Sequence, residues 1–118
     1  MKIKVADATP QQLNWMVAKA EGVNAEAFDL YYEPTESSDL DTHGYPEFHY
    51  STVWAQGGPI VEREGIATAP ADRFKTRGLW IARRGRLRQI GPTPLIAGLR
   101  CYVASRLGDE ADVPEGLV

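Results

Sequence analysis

Leu95, Ile96, Leu99, Tyr102, Val103 and Leu107 recur at three- and four-residue spacing, which predicts a helix over residues ~94–107 with one apolar stripe. Both of its ends are marked. Thr93 can cap with its hydroxyl, Pro94 suits a first helical position that needs no N–H, and Gly108 can stop the helix in a left-handed turn. The same start logic appears at Thr9-Pro10-Gln11-Gln12, where Gln12 completes a capping box, and predicts a helix over residues ~10–21. There Leu13, Met16, Val17 and Ala20 share a face and Gly22 ends the run. Trp15 lies off that stripe, so it either widens the buried face or covers an edge.

The other segments alternate instead. Lys2 to Val5 reads as a short strand, and Phe28 to Tyr32 as a strand or the end of a helical turn. Glu33 to Gly44 is polar and reads as an exposed loop, longer than most connections. Phe48 to Val53 suits a strand or an extended approach to Trp54. Trp54-Ala55-Gln56-Gly57-Gly58-Pro59 reads as a sharp turn, followed by a strand from Ile60 to Gly65 and a second loop from Ala67 to Gly78. Leu79–Arg83 and Arg86–Ile90 flank Arg84-Gly85 as a tight hairpin. On its second arm Leu87 and Gln89 point one way, and Arg86, Arg88 and Ile90 the other. Asp109 to Val118 reads as an acidic, partly frayed tail. The expectation is one α+β domain over residues 1–118, a mainly antiparallel sheet with the two main helices packed on it. Whether those helices share a face of the sheet stays open.

The totals narrow the class. A chain of 118 residues that is 43% hydrophobic and 25% charged suits an ordinary globular domain with its own core. No apolar run approaches the ~20 residues of a membrane-spanning helix, and Met1 to Val5 is not followed by a signal-peptide core. A single cysteine, Cys101, forms no internal disulfide and no cysteine zinc cluster. A cytoplasmic protein is expected.

The net charge of −3 conceals segregation. No Lys or Arg occurs from Ala20 to Glu62, whereas Arg73, Lys75, Arg77, Arg83, Arg84, Arg86 and Arg88 crowd the next stretch beside Asp72 alone. Such alternation reads as neighbouring segments that neutralise one another, as complementary faces in a homodimer, or as a basic patch for an anion.

Candidate chemistry is sparse. A Gly57-Gly58 turn and a helix start at Thr93 would both offer backbone N–H groups to an anion. On that reading Trp54 stacks a planar group, Gln56, Gly57 and Gly58 form the turn, Glu62 orients a donor, and Arg100 pairs with charge one to two turns along the helix. The turn and Thr93 are expected on the same side of the domain. Arg83, Arg84, Arg86 and Arg88 offer an alternative, a basic ribbon for nucleic acid, against which stands a pI near 5.3. His43 and His49 with Asp39, Asp41 and Glu47 match no compact metal-ligand spacing, so no metal and no cofactor are expected. Cys101 falls inside the helix as a small buried hydrophobe, and no catalytic residues are assigned.

Three blocks in series carry a resemblance: Leu13 to Ala20, then Tyr50-Ser51-Thr52 with Trp54 to Glu62, then Thr93-Pro94-Leu95 through Arg100 to Gly108. Together they resemble the phage NinX-like family, small proteins of temperate phages and prophages with no assigned activity. Two departures are the long stretch Glu33 to Gly44 and Val53, where a polar residue is expected. The resemblance implies a phage or prophage origin and action in the cytoplasm of a bacterial host, and it brings no catalytic residues. The expected role is a non-enzymatic accessory protein that binds a host protein or a small anionic ligand such as a nucleotide; the alternatives are a nucleic-acid-binding protein using the basic hairpin at residues 83–88 and a nucleotide-processing enzyme.

Overall fold

A computed structural model describes residues 1–23, 48–71 and 78–117, and in them three helices and two antiparallel sheets form an α+β architecture. In chain order these are β1 (Lys2–Lys4), α1 (Pro10–Ala20), α2 (Trp54–Arg63), β2 (Ala67–Pro70), β3 (Trp80–Arg84), β4 (Leu87–Gly91), α3 (Pro94–Leu107) and β5 (Glu110–Asp112). The predicted segments at Phe28–Tyr32 and Glu33–Gly44 lie outside the described residues.

Both predicted helices form where their caps require. Thr9 Oγ1 accepts from the Gln12 N–H at 3.2 Å and Gln12 Oε1 accepts from the Thr9 N–H at 3.0 Å, a complete capping box. Thr93 Oγ1 accepts from the Ile96 N–H at 3.0 Å, and Gly108, at φ +92°, closes α3. The single stripe expected for α3 is too narrow, however. Leu95 to Leu99 and Cys101 to Ala104 are all buried, because α3 runs through the centre of the molecule. The three-stranded sheet β2-β3-β4 lies against one side of it, and α1 and α2 lie against others. A helix buried all round needs no polar face. The two predicted helices therefore do not sit side by side on the sheet; α1 packs on α3.

Two polar anchors attach the approach to α2 and the C-terminal segment to α1. Asn14 Oδ1 accepts from the Ser51 N–H at 2.8 Å and lies 2.7 Å from the Ser51 hydroxyl, in a buried setting. The Gln12 amide donates to the Leu117 carbonyl at 2.8 Å. The segment after Gly108, expected to fray, instead forms β5, which pairs with β1 through Ile3↔Ala111, and it buries Val113 and Leu117. Apolar side chains at Ala111, Val113 and Leu117 outweigh the acidic residues between them. Trp15 covers the edge of this pair, its indole N–H donating to the Asp112 carbonyl at 3.2 Å.

The largest correction concerns residues 54–70. The expected Gly-Gly-Pro turn and the strand after it are one helix, α2, and the expected loop after Gly65 begins with β2. Residues 48–53, read as strand or extended approach, turn on themselves, with the Val53 N–H donating to the His49 carbonyl at 2.8 Å. What holds α2 is a close crossing with α3. A Cβ on Gly57 would overlap the Tyr50 carbonyl oxygen and come within 2.9 Å of Leu95 Cδ1, so only glycine lets the helices meet there. Ile60 and Val61 are buried on the same helix.

Candidate functional site

Of the residues expected to cradle an anion, Gln56, Gly57, Thr93 and Arg100 are engaged within the fold. Gly57 lies beside the start of α3, against Leu95. Its N–H donates to the Val53 carbonyl at 3.0 Å inside α2 and faces no open space. Gln56 Oε1 accepts from the His49 N–H at 2.8 Å, which secures the turn before the helix. Thr93 caps α3. Arg100 donates to the Ile90 carbonyl at 2.7 Å and the Ala8 carbonyl at 2.8 Å, bracketing β4 to the turn before α1. Its Nε is buried with no hydrogen-bond partner, and burial holds the guanidinium below its ordinary pKa, with Asp7 acting in the opposite sense.

Trp54 and Glu62 are exposed on α2, Trp54 to 55%. The indole lies across Gly58, where a Cβ would come 2.8 Å from Trp54 Cε3, so this glycine seats a ring that remains open to solvent. Cys101 is buried as expected, and burial raises its thiol pKa, the opposite of what a nucleophile needs. His43, Asp39, Asp41 and Glu47 lie outside the described residues, and among the described residues no His, Cys, Asp and Glu cluster could hold a metal ion.

A charged cluster that the sequence reading missed joins the ends of three helices to the hairpin. Arg63 donates to Glu21 with both terminal nitrogens, at 2.6 and 3.2 Å, and through Nε to Glu64 at 2.9 Å. Glu64 also pairs with Arg106 at 3.2 Å and Arg84 at 3.3 Å, and its side chain is only 7% exposed. The buried Tyr102 donates its hydroxyl to Glu21, while Arg63 and Arg106 lie over its ring at 5.8 and 5.3 Å. The Arg63 hydrogen bond is the main cause holding each of Glu21 and Glu64 below the usual carboxylate range. Burial first, and then Glu21, push the Tyr102 phenol up to about 12. The one signal in the sequence was the triplet Glu62-Arg63-Glu64, whose register became clear only with α2. Every charge here meets an opposite charge, which makes the cluster a clasp for the fold.

The hairpin differs. Of its four arginines Arg84 belongs to the clasp, whereas Arg83, Arg86 and Arg88 are exposed and, among the described residues, have no ion pair and no side-chain hydrogen bond. Ala82, Leu87 and Trp80 turn inward to the core, so Arg83, Arg88, Ile81 and Ile90 occupy the outer face of the sheet. Register sets them in two rows across the strands: Ala67, Arg83 and Arg88, then Ala69, Ile81 and Ile90. Arg83 and Arg88 are directly opposed like charges, an arrangement that costs stability. Ile90 is 43% exposed.

A family model described as "Bacteriophage P22, NinX" matches residues 4–106, which span α1, α2, all but the last residue of α3, and all strands of the three-stranded sheet. No curated protein matches the chain.

Proposed function

We propose a function on the premise that the chain belongs to the bacteriophage NinX family: this phage accessory protein acts by binding a host protein, without catalysis. The observation that carries the reading is the outer face of β3 and β4. Exposed Arg83 and Arg88 stand opposed there, with exposed Arg86 in the adjoining turn, and among the described residues these three have no ion pair and no side-chain hydrogen bond, whereas the other described arginines are all engaged. Like charges held together at a cost to the fold are accounted for by an anionic partner that supplies the countercharge. A small anionic ligand between Trp54, Thr93 and Arg100 is the weaker form of the same reading, since the donors it needs are engaged by backbone groups.

Nucleic acid is the second reading, favoured by the guanidinium groups on a two-stranded ribbon. A net charge of −3 works against long-range attraction to a polyanion. Affinity capture from a bacterial lysate distinguishes these forms. The tagged protein is expected to retain a host protein in stoichiometric amount, and Arg83→Glu/Arg88→Glu is expected to lose it while melting like the parent. Capture unchanged by the charge reversal refutes this surface. Retention of nucleic acid that nuclease treatment and moderate salt remove puts the second reading first.

A further inference from the structure

Resting on that reading, we infer that the outer face of β2-β3-β4 recognises an acidic protein segment in which carboxylates alternate with exposed apolar side chains. The inference comes from the two rows. Neighbouring strands lie ~4.8 Å apart and residues two positions apart on a strand ~6.8 Å apart, so a basic row and an apolar row run side by side at that spacing over a width of ~10 Å. The basic row ends in the opposed pair Arg83 and Arg88, with Arg86 in the turn beyond it. The apolar row ends in the opposed pair Ile81 and Ile90. A carboxylate takes a guanidinium in a two-point hydrogen bond, and the adjacent isoleucines bury an apolar neighbour of that carboxylate.

Other occupants leave one row unused. Phosphates satisfy the arginines but not the isoleucines, and among the described residues the outer face carries no aromatic ring for a base to stack on, because Trp80 turns inward. A second copy of this face, turned over upon it, sets arginines against arginines or against isoleucines, and neither supplies countercharge. An acidic segment without apolar residues leaves Ile90 in water.

The test uses the full chain and defined probes read by fluorescence anisotropy. These are a synthetic peptide of glutamates interspersed with leucines, the same peptide with serine for leucine, and single-stranded and duplex oligonucleotides. The glutamate–leucine peptide is expected to bind best at moderate salt. Arg83→Ala/Arg88→Ala should weaken it by about tenfold, the scale of losing close charge pairs. Ile90→Ser should weaken the leucine peptide several-fold and leave the serine peptide unchanged. All variants change exposed positions, and thermal melts check that they fold. Tighter binding of an oligonucleotide, equal binding of the two peptides, indifference to Ile90 or Arg83/Arg88, or no peptide binding overturns the inference. If lysate capture still depends on Arg83 and Arg88 when the peptides fail, the proposed function stands and only this partner chemistry is wrong. If capture ignores those arginines, both go.

Discussion

Two adjacent glycines in α2 should respond oppositely to the same substitution. In an unconstrained helix interior Gly→Ala gains about 1 kcal/mol. At Gly58 the new Cβ meets only Trp54 Cε3 at 2.8 Å, and that ring is 55% exposed and free to swing aside. Gly58→Ala should therefore keep most of the gain and melt at or slightly above the parent. At Gly57 the Cβ would overlap the Tyr50 carbonyl oxygen and meet Leu95 Cδ1 at 2.9 Å and Leu99 Cδ1 at 3.0 Å. None of these can rotate clear, since one is backbone and both leucines are buried. Relief requires α2 to lift from α3 or the turn at residues 49–53 to move. Overpacking of this kind costs up to about 3 kcal/mol, so after the propensity gain Gly57→Ala should lose about 2 kcal/mol. For a domain of this size that lowers Tm by roughly 8 °C. Thermal and urea melts of both variants, followed by circular dichroism at neutral pH, give the comparison. A Gly57→Ala protein as stable as the parent, or equal effects at the two glycines, refutes the close crossing of α2 and α3.

Leu99→Ala, in the centre of α3 and fully buried, should cost roughly 2–5 kcal/mol in urea unfolding, and a parent-like midpoint would remove Leu99 from the core. Arg88→Ala should leave stability unchanged or raise it by up to about 1 kcal/mol, because it relieves the opposed charge of Arg83; a clear loss would show a structural role for the pair. Glu64→Gln should be less stable than the parent at neutral pH, where the parent carboxylate holds three arginines. The folded pKa of Glu64 lies below its unfolded value, so its contribution is present above the usual glutamate range near ~4.3 and is lost as pH falls through the lower folded value. The two proteins should converge in acid melts, and a stability difference that persists undiminished at low pH would refute the ion-pair role.

The sequence made legible what local chemistry decides. Thr9-Pro10 and Thr93-Pro94 announce helix starts because a hydroxyl cap and a proline act within one turn, whatever surrounds them. Residues 54–63 point away from a helix for the converse reason: Gly57, Gly58 and Pro59 together cost an isolated helix on the order of 5 kcal/mol relative to alanines. The contact with α3 offsets that cost, and the proline is tolerated because it is exposed. The clasp was hidden by distance, since Glu21 meets Arg63 and Tyr102 across 42 and 81 positions.

The candidate binding face turned on a single residue of register. A turn at Arg84-Gly85 would set Arg83 opposite Arg86 and Ile81 opposite Arg88, mixing charge with apolar side chains across the strands. The observed turn at Gly85-Arg86, with Gly85 at φ +61°, pairs Arg83 with Arg88 and Ile81 with Ile90. A glycine at the first central position of a two-residue hairpin turn supplies the positive φ there, where arginine would be strained. The basic and apolar rows exist only in that register. The position of Gly85 in the turn, more than the number of arginines near it, decides whether this hairpin presents a patterned surface.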